Sequence, residues 1–130
     1  MGWFGAAIQR KEDAPLLRGE GRYIDDIALP GMLHAAFVRS PYAHAKVGHI
    51  DKTAALAVPG VHAVLTFADL PGSVQRQTLP LLVPNPAIKQ PFMPYALVKD
   101  EACYVGEPVA CVVADSRYIA EDAAQLVEVD

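Results

Sequence analysis

The densest apolar pattern in the chain lies in residues 103–130, CYVGEPVACVVADSRYIAEDAAQLVEVD. Two apolar runs meet there at Val105-Gly106-Glu107-Pro108-Val109. This is a sharp break, because proline fixes φ and removes a backbone donor while glycine tolerates φ > 0. Residues 109–114 are valine-rich and lack polar alternation, which predicts a strand covered on both faces. After Asp115 the spacing becomes helical: Tyr118, Ile119, Ala123 and Leu126 fall on one face and Glu121, Asp122 and Gln125 outside it. A helix over 116–126 follows, with Asp115 or Ser116 as its N-cap. Residues 126–130 alternate like the opening of another strand, and the sequence stops inside it. A piece of a longer chain, or a subunit whose strand is completed elsewhere, is therefore expected.

Upstream, Pro30-Gly31 and Ser40-Pro41 are turn signals around a strand at 32–39, with Leu33, Ala35 and Phe37 on one face and His34, Ala36 and Val38 on the other. A more polar strand at 45–50, anchored by Val47 and Ile50, suits a sheet edge. Asp51 caps a helix over 51–58 that packs through Ala54, Ala55, Leu56 and Val58 and stops at Pro59-Gly60. In the next strand, 61–66, Val61, Ala63 and Leu65 alternate with His62, Val64 and Thr66, which puts His62 on the less buried face. Phe67 to Gly72 reads as a helical turn, and a short strand is expected at 102–105. Between them, residues 71–95 hold six prolines and form a long loop, either a partner-contacting flap or a partly mobile one; Leu79, Leu81, Leu82 and Phe92 give it apolar material to pack.

Residues 1–30 are rich in charge and glycine, with little apolar periodicity, and read as an extended N-terminal arm. Such an arm either lies across the domain or another chain, or is a solvated tail. The expected division is an arm at 1–30 and a domain at 31–130. Its class is α+β, a mixed sheet with two main helices.

Composition narrows the function without naming it. With 52% hydrophobic residues, 20% charged and a net charge of -4, the chain is neither disordered nor basic, so nucleic acid is a poor default partner. No run approaches the roughly 20 apolar residues of a membrane span, and no signal-peptide pattern opens the chain, so a cytoplasmic protein is expected. Cys103 and Cys111 match no metal or redox spacing and read as reduced core thiols; the alternative is a disulfide, since a hairpin at Gly106-Glu107-Pro108 would bring them to neighbouring strands. His34, His44, His49 and His62 are scattered, with no HxxxH pair.

The carboxylate pairs Glu12-Asp13, Asp25-Asp26 and Glu121-Asp122 are sequence neighbours, which point apart on a strand or helix rather than forming an acid/base dyad. Ser40 and Ser116 have no histidine at a telling position and read as turn and cap residues. Gly19-Glu20-Gly21 has neither the strand, the helix nor the third glycine of a phosphate loop. Glu107 is the carboxylate to watch, since a charge buried in that turn must find a donor or shift its pKa; a turn residue bonded to backbone amides is the simpler reading. No self-contained active site is visible.

Four segments together carry a family resemblance. Residues 10–26 contain Arg10-Lys11-Glu12-Asp13 and then the pattern LLxGxGxYxDD from Leu16 to Asp26. Residues 30–45 read PGMLHAAFVRSPYAHA; Val58-Pro59-Gly60-Val61 and Val105-Gly106-Glu107-Pro108-Val109-Ala110 complete the set. In order and spacing these resemble the start of the molybdopterin-binding large subunit of molybdenum hydroxylases, with the aerobic carbon monoxide dehydrogenase group nearest and xanthine dehydrogenase and aldehyde oxidase further off. Each motif alone is weak, whereas four in order are specific.

The resemblance implies an α/β hammerhead domain serving a structural, assembling role in an oxidoreductase. Such enzymes hydroxylate an aldehyde, an N-heterocycle or a similar carbon centre with oxygen from water, at molybdenum held by molybdopterin cytosine dinucleotide. Iron-sulfur [2Fe-2S] and flavin (FAD) partner subunits carry the electrons away. The family's catalytic and pterin-binding residues lie in later domains, so it implies no catalytic, cofactor-binding or metal residue in this chain, which alone is expected to be inactive. The alternative is a freestanding, non-enzymatic binding module on the same scaffold. A lipoyl or biotinyl carrier is disfavoured, because Lys46, Lys52, Lys89 and Lys99 all lack the expected hairpin tip.

Overall fold

The computed structural model describes residues 4, 5, 7, 10–80, 83, 85–89 and 93–130. The chain divides into two compact units, Met1–Met32 and Leu33–Asp130.

The first unit is not simply extended. Helix α1 spans Asp13–Leu17. Pro15 costs it little, since an N–H in the first turn has no intrahelical partner. The helix ends at Gly19, whose φ of 70° lets Glu20 N–H reach the Pro15 carbonyl at 2.9 Å and Gly19 N–H reach Leu16 at 3.1 Å. This pair of bonds is a Schellman cap. A 3-10 turn follows at Ile24–Asp26, where Asp26 Oδ2 accepts from Tyr23 N–H at 2.9 Å. Neither element buries a residue.

The second unit is built on strand β6, Pro108–Ala114, flanked by β1, His34–Arg39, and β4, Val61–Leu65, in the order β1-β6-β4. Its all-apolar sequence suits a central strand, and Pro108, which cannot donate to the ladder, sits at its first position. Two ribbons complete the unit: β2, Ala45–Lys46, with β5, Glu101–Ala102, and β3, Ile50–Asp51, with β7, Glu128–Val129. Thus the α+β class holds, with the sheets antiparallel throughout rather than mixed.

Helix α4, Arg117–Ala124, is the predicted C-terminal helix with shorter ends; Ser116 caps it, its Oγ accepting from Ile119 N–H at 3.3 Å. The helix expected at 51–58 shrinks to one turn, α2, Thr53–Leu56, because Asp51 belongs to β3 while its Oδ1 still accepts from Thr53 N–H at 2.8 Å. One turn inside the long loop was not anticipated: α3, Gly72–Gln75. Leu79 N–H bonds Pro94 at 2.8 Å across that loop, whereas Leu81, Leu82 and Phe92 lie outside the described residues.

The main core joins Val64, Ala110, Val112 and Val127 to Ala55 of α2 and Ala123 of α4. Three expectations change here. The register shift between Val61 and Ala63 resets the alternation of β4, so Val64 points into the core while His62 stays exposed. The strand expected at 45–50 splits into β2 and β3 because it changes partner, from β5 to β7, at Gly48 and His49, where Gly48 N–H bonds Asp130 at 2.7 Å and Asp130 N–H bonds His49 at 3.0 Å. Finally, β6 is covered fully on one face only: Ala110, Val112 and Ala114 are buried, whereas Cys111 and Val113 are half-buried beside exposed Ala35 and Phe37.

Candidate functional site

Glu107 is the one buried carboxylate among the described residues, at 3% exposure. The strand expected at 102–105 ends after Ala102 because Cys103 to Gly106 turn, with Glu107 N–H on the Tyr104 carbonyl at 3.3 Å. The turn is pinned from outside. Ser40 N–H donates to the Glu107 carbonyl at 2.9 Å, Gly106 N–H donates to Ser40 at 2.8 Å, and Arg39 Nη1 donates to Gly106 at 2.8 Å. One Glu107 oxygen, Oε2, accepts from Cys103 N–H at 2.5 Å. Glu107 therefore is a turn residue bonded to a backbone amide. It also lines a cleft of about 280 Å³ whose walls include Tyr95, Val98, Lys99, Glu101 and Cys103.

The two thiols are free and half-buried. Burial pushes the Cys111 thiol up, and desolvation aided by the Glu107 and Glu101 carboxylates does the same to Cys103. Neither is set up as a thiolate nucleophile. Ser40 and Ser116 serve as turn and cap: Ser40 Oγ accepts from Tyr42 N–H and donates to the Tyr42 carbonyl, both at 3.1 Å.

Three polar pairs lay beyond sequence reasoning, because their partners come from distant segments. His62 Nε2 meets Asp115 Oδ1 at 2.7 Å, and His44 Nε2 meets Glu101 Oε2 at 3.2 Å. Lys52 Nζ donates to Asp69 Oδ2 at 2.7 Å and to the Val64 carbonyl at 3.3 Å. With Thr66 also donating through N–H and hydroxyl, the Lys52 ammonium holds the Asp69 carboxyl down at about 2. That pair ties α2 to the end of β4. None of these pairs joins another into a catalytic constellation, and among the described residues no group of three or more His, Cys, Asp or Glu could hold a metal. No helix among them is long and apolar enough to cross a membrane.

Among the described residues, a central antiparallel sheet, one eight-residue helix and two short ribbons define a small α+β domain. The comparisons place it. Residues 18–130 match the family model described as "Aldehyde oxidase and xanthine dehydrogenase, a/b hammerhead domain", and the chain belongs to that family. It is 46% identical over 95% of its length to the nicotine 6-hydroxylase large subunit of Paenarthrobacter nicotinovorans, and 46% identical over 92% to the carbon monoxide dehydrogenase large chain of Hydrogenophaga pseudoflava. Among solved structures it resembles carbon monoxide dehydrogenase from Oligotropha carboxidovorans, with a TM-score of 0.80 and 42% identity over 97% of the chain. Quinoline 2-oxidoreductase from Pseudomonas putida 86 gives 0.79 and 45% over the same share. The chain spans only 14–16% of the length of these proteins.

Proposed function

We propose that this chain works as the hammerhead domain of a molybdenum hydroxylase large subunit, a scaffold that helps the catalytic domains assemble. The observation that carries this reading is a mismatch between substrate and similarity. Proteins named for nicotine and for carbon monoxide share this segment with the chain at the same 46% identity, and one named for quinoline shares it at 45%. A segment equally similar to proteins named for such different substrates carries no mark of any one of them. The whole enzyme, on this reading, is a cytoplasmic oxidoreductase that hydroxylates an aldehyde, an N-heterocycle or a substrate like carbon monoxide. Its molybdopterin cytosine dinucleotide sits in domains beyond this one, and its [2Fe-2S] and FAD groups on partner subunits. The donor set described above does not fit a molybdenum centre, so no chemical step is assigned to this chain's residues.

The arm supports an assembling role. Leu17 and Ile24 are each 87% exposed, and apolar side chains left in water on a segment with no core of its own favour burial against a partner. Deleting residues 10–26 is expected to weaken association with the remaining domains or the iron-sulfur subunit, read by size exclusion of the complex. A segment swap tests the central reading: residues 18–130 replace the matching stretch of the Hydrogenophaga pseudoflava large chain. The chimera is expected to assemble and keep the host's activity. If it assembles but its substrate preference changes, or fails to assemble where the host's own reinserted segment succeeds, the scaffold reading is wrong.

A further inference from the structure

Strand β6 has the sequence of a strand buried on both sides, and cover for only one. From Val109 to Ala114 no side chain carries an oxygen or nitrogen, whereas an antiparallel sheet with one face in water normally alternates apolar with polar residues. Helices α2 and α4 close the face that carries Val64, Ala110 and Val112. On the opposite face the register sets two cross-strand rows, Ala35-Val113-Ala63 and Phe37-Cys111-Leu65. None of these six side chains is charged or carries an oxygen or nitrogen either. Yet Ala35 and Phe37 are exposed, Phe37 at 47%, and the other four are only half-buried. Phe37 is also braced: the Arg39 guanidinium lies 5.4 Å over its ring while Nη1 donates to the Gly106 carbonyl at 2.8 Å. A fixed aromatic ring beside an arginine is a common anchor of protein interfaces.

We infer that this sheet face is where the domain docks onto a further domain of its own polypeptide, one that presents uncharged apolar side chains. It rests on the hydroxylase reading and adds which surface does the assembling. Area selects the occupant. Three strands about 4.8 Å apart, each with five residues of about 3.4 Å rise, give a footprint of about 240 Å². A stable contact between separate molecules needs about 800 Å² on each partner. Neither a second copy nor a separate subunit is therefore held by this face alone. A tethered domain meets no such threshold, because covalent linkage raises its effective concentration to the millimolar range. The relatives have room for one, since this chain spans only 14–16% of their length.

The test places Ala35→Cys on this face and measures its labelling by N-ethylmaleimide, read by peptide mass spectrometry. The 130-residue chain is compared with the complete enzyme isolated from its natural source. The chain alone is expected to be monomeric and freely labelled at position 35. In the complete enzyme labelling should be at least about tenfold slower, because a buried thiol reacts only when its cover opens. That protection should survive when partner subunits are stripped from the large subunit. Phe37→Asp supplies a second readout: it should leave the circular dichroism of the 130-residue chain unchanged and cut the yield of assembled enzyme about tenfold or more, since a charge would be buried at the contact. If position 35 is labelled as fast in the complete enzyme as in the chain alone, or Phe37→Asp assembles normally, this inference falls and the hydroxylase reading stands. If only a 14.0 kDa species is isolated, that reading falls and takes this inference with it. Protection that disappears with the partner subunits would give the face to a separate subunit, and dimerisation of the chain alone with position 35 protected would give it to a second copy; either result overturns the inference.

Discussion

Truncating Val112 to alanine is the sharpest probe of how the second unit is held together. Val112 is at 0% exposure, opposite Ala36 of β1 and Val64 of β4, and belongs to the cluster with Ala55 and Ala123. The cluster contains only alanine and valine among its buried members, with Ile50 the one larger side chain packed against it, so little is at hand to fill a gap. Removing two carbons loses about 1.6 kcal/mol of transfer free energy at ~0.8 kcal/mol per carbon. A residual cavity on the order of 50 Å³ adds roughly 1 kcal/mol. The expected cost is therefore about 2–3 kcal/mol, which for a domain of this size lowers Tm by roughly 8–20 °C. Urea and thermal unfolding of the full chain, followed by circular dichroism, measure it. Val113→Ala, one residue along on the half-open face, is the control and should cost less than about 1 kcal/mol. If the two variants lose the same stability, or Val112→Ala loses less than about 1 kcal/mol, the assignment of the core face of β6 is wrong.

Other parts of the fold give their own tests. Gly60 has φ of 88°, and an added Cβ would lie 3.0 Å from Ile119 Cδ1 and 3.1 Å from Asp115 Oδ2; Gly60→Ala should destabilise by about 1–3 kcal/mol in urea unfolding. The Asp69 carboxyl is lowered from 3.8 to about 2 in the folded chain, so its contribution is present above pH 4 and lost as pH falls through 2. With both partners about one-third exposed, screening reduces that contribution to about 1 kcal/mol. Asp69→Asn should lose that much at pH 7 and flatten the stability profile between pH 4 and 2, as read from urea midpoints. Ser116→Ala removes the cap of α4 and should cost about 1 kcal/mol in the same assay.

The parts legible in the sequence were those set by local pattern. Strand β6 follows from an unbroken apolar run, the existence of β1 from the turn signals around it, and α4 from helical spacing after a serine cap. Helix α1 was missed although its signals are present: proline in the first turn and Gly19 just past the end form a start-and-stop pair. Few apolar residues lie between them, so periodicity alone was silent. The facing of Val64 was unreadable, because a bulge depends on how β4 pairs with β6 and a local pattern holds no trace of it. The same holds for Lys52 with Asp69 and His62 with Asp115, separated by 17 and 53 residues. Glu107 was found for a physical reason: a charge between glycine and proline in an apolar stretch must be satisfied by its own turn. That Glu107 also lines a cleft required the fold.

The most direct test of the central reading is the metal content of the protein isolated from its natural source through an affinity tag at the chromosomal locus. Inductively coupled plasma mass spectrometry should find about one molybdenum per copy of this chain, with iron and flavin co-eluting on partner subunits. A homogeneous 14.0 kDa species that contains no molybdenum and elutes without partners would contradict the account.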